Sequence, residues 1–194
     1  EDAEAEIATT VAEGGPMSAE AMIDLVDVRL AQGLTVDAQT IAALGALVQE
    51  YRGSPLEPAL LRAEILGRAS AGDFDGAFRL AAETDPEVKA GLWDLLAQDG
   101  PDSTVLHHAI LADADPVPEQ GAETALRIAT RLTDLGFADQ ALRWLPTGHE
   151  DPAVALLAAR AEVQRHDGRA ALRVLAGLAG PEADRLRAEA QIQL

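Results

Sequence analysis

Four histidines are the side chains of this chain best suited to metal binding or proton transfer. His107 and His108 are adjacent, which on an α-helix turns their imidazoles about 100° apart; ligands to one metal converge at a spacing of four instead. The sequence therefore assigns them a structural role. His166 is expected in the last turn of its helix, four residues after Glu162, where its charge favours the negative end of the dipole. His149-Glu150-Asp151 reads as a polar loop. Asp73-Phe74-Asp75-Gly76 has the look of a calcium loop, but Ala71 and Ala82 stand where that loop needs acids, so Asp73 or Asp75 is expected to cap a helix. The single lysine, Lys89, follows no glycine-rich phosphate loop. Gly67-Arg68-Ala69-Ser70-Ala71-Gly72 has one residue too many before its serine for a hydrolase elbow. No nucleophile and base pair up, and the sequence calls for neither metal nor cofactor.

The bulk composition narrows the partners. The 194 residues carry 15 Lys+Arg against 33 Asp+Glu, a formal net charge of -18. Neutralising a phosphate backbone needs clustered cations, so neither nucleic acid nor an anionic membrane is expected. The acidity either keeps the surface solvated or attracts basic partners. The longest uncharged run, from Ala38 to Gln49, is about a dozen residues where a membrane span needs about 20. No membrane insertion is expected. The absence of cysteine is compatible with a reducing or an oxidising compartment, so localisation stays open. A first residue of Glu rather than Met points to an upstream piece, whether signal peptide, anchor or domain.

The elements that must position any site are helices. Alanine is roughly a fifth of the chain, and Leu, Glu and Arg are abundant, whereas β-branched and aromatic residues are few. Ile41, Leu44, Leu47 and Val48, and likewise Leu60, Leu61, Ile65 and Leu66, recur at helical spacing. Punctuation by Gly, Pro and Asp predicts eleven helices, over 18–32 (capped by Ser18), 37–52, 56–71, 75–84, 87–98, 103–113, 119–135, 138–145, 152–166, 169–179 and 182–193. Residues 1–16 read as an acidic leader, frayed or forming a short capping helix, and 17–194 as one repeat domain.

Successive helical hairpins start about 30–38 residues apart. Ala77-Phe78-Arg79-Leu80, Ala141-Leu142-Arg143-Trp144 and Ala171-Leu172-Arg173-Val174 share one pattern at that period, with Ala109-Ile110-Leu111 in the remaining slot. Leu61-Arg62-Ala63-Glu64-Ile65, Ala159-Arg160-Ala161-Glu162-Val163 and Leu186-Arg187-Ala188-Glu189-Ala190 share a second. Ala77 and Ala141 are predicted at close helix crossings, where only a small side chain fits.

The turn-and-helix segments Gly72-Asp73-Phe74-Asp75-Gly76-Ala77 and Gly136-Phe137-Ala138-Asp139-Gln140-Ala141, with helix-ending Pro86 and Pro152, resemble the tetratricopeptide-repeat family and related α-solenoids. The resemblance covers residues 56–194 best and 18–52 by helix spacing alone; the family's first-helix Trp, Gly and Tyr are missing from most repeats. It implies an all-α, right-handed α-solenoid of about five antiparallel helix pairs plus a terminal helix, acting as a non-catalytic platform for a protein or peptide. By that analogy Arg62, Arg127, Arg160 and Arg187 lie on groove-lining first helices and form a cationic stripe for partner carboxylates. The competing reading is ordinary exposed pairing at a spacing of four: Glu64/Arg68, Asp75/Arg79, Glu123/Arg127 and Asp139/Arg143. Trp93 is expected in the core, or, if exposed beside a groove, as a partner anchor. The alternative function is an accessory helical part of a larger bacterial enzyme or envelope assembly.

Overall fold

The structure, a computed structural model, describes residue 9 and residues 16–111, 121–145 and 151–194. All structural statements below concern those residues. The expected leader, the break from Asp115 to Pro118 and the loop residues His149 and Glu150 lie outside them, residue 9 and Pro16 apart. Eleven α-helices and no strand are present, and the chain divides into two compact units, Glu1–Leu96 and Ala97–Leu194.

Unit 1 holds α1 (Pro16–Ala31), α2 (Ala38–Glu50), α3 (Glu57–Ser70), α4 (Phe74–Ala81) and most of α5 (Pro86–Asp99). Helix α1 begins two residues before Ser18, which therefore lies in its first turn instead of capping it. Asp37 and Asp73 cap α2 and α4: their carboxylates accept from the Thr40 N–H at 2.9 Å and the Gly76 N–H at 3.0 Å. The core is aliphatic, built around Val26, Val36, Leu44 and Leu60, and α3 packs against α1, α2 and α4.

Unit 2 holds α6 (Asp102–Leu106), α7 (Ala122–Asp134), α8 (Ala138–Trp144), α9 (Pro152–Gln164), α10 (Gly168–Val174) and α11 (Pro181–Ile192). The predicted helix over 103–113 is not uniform, because α6 runs into a π-turn at His107–Leu111. The Trp144 indole N–H donates to the carbonyl of Ala109 in that turn, 3.2 Å away. Helix α9 packs against α7, α8, α10 and α11.

One local device recurs in both units. Four first helices end in a residue with positive φ, followed by a backbone N–H that reaches back five residues: Leu34 to Arg29, Asp73 to Arg68, Phe137 to Leu132 and Asp167 to Glu162, all at 2.8–2.9 Å. This is the Schellman turn, which satisfies carbonyls left over at the helix end. Gly33, Gly72 and Gly136 supply the positive φ in three, and His166, at φ 60°, in the fourth. His166 is thus not in the last helical turn, and Glu162 pairs with Arg165 at 2.8 Å instead. The short second helices, 8 residues in α4 and 7 in α8 and α10, are below the length at which an isolated helix persists in water. Packing sustains them: Ala77, Ala141 and Ala171 are fully buried.

Candidate functional site

The four arginines expected to form a stripe all have carboxylate partners inside the fold. Arg62 on α3 reaches Asp27 on α1 at 2.9 Å, and Arg160 on α9 reaches Asp134 at the end of α7 at 2.7 Å. Both pairs tie one hairpin's first helix to the next. Arg127 pairs with Glu123 at 3.2 Å on its own helix. Arg187 donates to Asp184 at 2.6 Å and to the carbonyls of Leu175 and Leu178 in the loop after α10. Each guanidinium is partly exposed, but its charge is already matched, and pairs of this kind contribute only about 0–1 kcal/mol.

Of the four same-helix pairs expected, Glu64/Arg68 and Glu123/Arg127 form. Arg79 and Arg143 have no ion-pair partner among the described residues, and Asp139 turns to Arg165 at 2.5 Å. Trp93 lies in the core, 5% exposed, its ring edge-on to Phe78 with centroids 4.9 Å apart. Its position is the packing alternative, not that of an exposed anchor. The imidazoles of His107 and His108 do not diverge as an α-helix requires. The wider π-turn rotates less per residue, and the rings stand edge-on at 4.8 Å, His108 buried and His107 exposed.

Polar ties between hairpins went unread in the sequence. Gln164 donates to the Thr133 carbonyl at 3.0 Å, and Gln193 to the Val163 carbonyl at 2.8 Å. Both glutamines stand at a first-helix end, both acceptors near the end of the preceding first helix. Arg131 holds the Gly100 carbonyl at 2.7 Å in the corresponding place. The spacing of Gln164 and Gln193, close to one repeat, is the signal that marks them.

A concavity lies in unit 1 over α3. A cleft of about 530 Å³ is lined by Val48 and Arg52 on the α2 side, by Leu61, Glu64 and Arg68 on α3, and by Leu80 on α4. A smaller one of about 250 Å³ shares Glu57, Leu61, Glu83 and Thr84 with it and extends to Asp85 and Val88. Glu64 corrects the expectation of an exposed helix pair, because it is 5% exposed. Gly45 on α2 faces the carboxylate: a Cβ there would stand 3.3 Å from Glu64 Oε1, a tight contact that would press on the side chain. Arg68 donates from Nε at 3.0 Å and Nη2 at 2.7 Å, both to Oε1, and from Nη1 to Asp73 at 3.1 Å. The Glu64 hydrogen bond, followed by that of Asp73, raises the Arg68 guanidinium above its ordinary value. Glu64 Oε2 accepts no hydrogen bond among the described residues.

Comparison with known proteins finds no match to this chain among family models, curated proteins or solved structures. No helix among the described residues is long and apolar enough to cross a membrane.

Proposed function

We propose that the chain is a non-catalytic platform for a protein or peptide, a degenerate, tetratricopeptide-like right-handed α-solenoid of about five helix pairs plus a terminal helix. The observation that carries this reading is the fourfold Schellman turn joining a longer helix to a shorter second one, which in three of the four is packed through a buried alanine. Two further features support it. Within each unit the principal helix contacts join elements next to each other, or next but one, in the chain, as stacked repeats require. Polar ties recur between successive first helices, in the two glutamine bonds and in the Arg62 and Arg160 pairs. The arginines act in this reading as ties, and partner capture draws on the acid excess.

Two measurements test it. A closed globule of this length has a radius of gyration of about 16 Å; small-angle scattering is expected to give a clearly larger value, and about 16 Å would refute the stacked array. Affinity capture is expected to recover the same partners with wild type and an Arg62→Glu/Arg127→Glu double variant. Loss of those partners with retained fold would return the arginines to the binding face.

A further inference from the structure

We propose that the groove over α3 in unit 1 takes a basic peptide segment, with one Arg or Lys head against Glu64 and its methylenes across Leu61 and Leu80. The proposal rests on the platform reading and gives it a site and a partner chemistry.

Three observations lead to it. First, both Arg68 donors fall on Glu64 Oε1, so Oε2, which is open to solvent, stands on the wall of a cleft without a protein donor. A charge-assisted hydrogen bond from a cationic head is the strongest contact that such a carboxylate oxygen can accept. Second, the groove is acidic beyond that residue. Glu57, Glu83 and Asp85 join Glu64 along its two parts, against Arg52 and an Arg68 already shared between Glu64 and Asp73. Glu83 is exposed and has no ion-pair partner among the described residues, whereas Glu57 is occupied by the Gly53 N–H at 2.5 Å. The whole chain reinforces the sign, at a net charge of -18. Third, the walls between the charges are apolar, with Leu61, Leu80 and Val88 all half-buried. An Arg or Lys side chain presents the matching sequence of apolar stem and charged head. The cleft volume of about 530 Å³ falls in the range of about 300–1,000 Å³ that accepts a small ligand.

The test is an amide NMR titration of the full 194-residue chain with three capped pentapeptides, acetyl-Ala-Leu-X-Leu-Ala-amide, where X is Arg, its neutral isostere citrulline, or Glu. The Arg peptide is expected to move the amides of Gly45, Glu64 and Thr84 saturably, and the citrulline peptide to bind at least about tenfold more weakly. Added salt is expected to weaken the Arg peptide alone. Glu83→Gln, at an exposed residue that leaves the fold intact, is expected to weaken it by about two- to fivefold. Glu64→Gln is expected to weaken it by about tenfold or more. Equal binding of the Arg and citrulline peptides, a preference for the Glu peptide, or no movement of these amides would overturn the proposal. Saturable shifts on other helices would also overturn it while leaving the platform standing. Scattering and partner capture judge the platform separately.

Discussion

Gly168→Ala tests the tightest helix contact in unit 2. Gly168 opens α10 and is buried against α11, where an added Cβ would fall on the carbonyl oxygen of Ala190, 3.2 Å from its carbon and 3.3 Å from Gln193 Cβ. The obstacle is backbone, so no side-chain rotation relieves it and α10 must retreat. Overpacking of this kind costs about 1–3 kcal/mol, whereas the helix preference for alanine returns at most about 1 kcal/mol. The net loss spans about 0–3 kcal/mol and centres near 1–2 kcal/mol, which lowers the melting temperature by about 2–8 °C for a chain of this size. Gly91→Ala supplies the contrast: there the Cβ would meet Leu66 Cδ2 at an ordinary 3.6 Å, so a gain of about 0.4–1 kcal/mol is expected. Urea denaturation followed by tryptophan fluorescence separates the units, since Trp93 reports on unit 1 and Trp144 on unit 2. If Gly168→Ala were as stable as wild type at the Trp144 transition, α10 and α11 would not approach as described.

The other expectations concern turns and ties. Gln164→Ala and Gln193→Ala each remove a bond to a carbonyl of the preceding hairpin and are expected to cost about 0.5–1.5 kcal/mol in urea unfolding. His166→Gly relieves a non-glycine residue at φ 60° and is expected to stabilise unit 2 by up to about 1 kcal/mol, visible as a raised urea midpoint. Asp37 is held below its ordinary value, first by the Thr40 N–H, then by the Thr40 hydroxyl and Arg29. Its stabilising effect is therefore complete above the unfolded value of about 3.9 and lost as pH falls through the lower folded one. Asp37→Ala is accordingly expected to cost about 1 kcal/mol at neutral pH, with the difference from wild type vanishing in acid on a urea-midpoint against pH profile.

The sequence by itself determined the helical class and, at the glycine turns, the places where first helices stop; the second helices expected to end at 84 and 179 end at Ala81 and Val174. Glycine before an aspartate or an aromatic, as in Gly72-Asp73 and Gly136-Phe137, acts within a few residues, so its consequence is legible without neighbours. Buried Ala77 and Ala141 were legible for a related reason, since a small residue repeating at one period marks a close crossing. His166 was misplaced because αL is a position glycine usually advertises, and here the chain forces a larger residue into it.

Only the tertiary structure decided what the charged residues do. Whether Arg62 faces a partner or Asp27, and whether Glu64 is a surface acid or a buried one, depends on a residue 35 positions away in the first case and on the helix packed opposite in the second. Spacing along one helix is blind to both. A helix period fixes which side chains share a face, but the element packed opposite supplies the charge, the cavity and the burial that turn a face into a site.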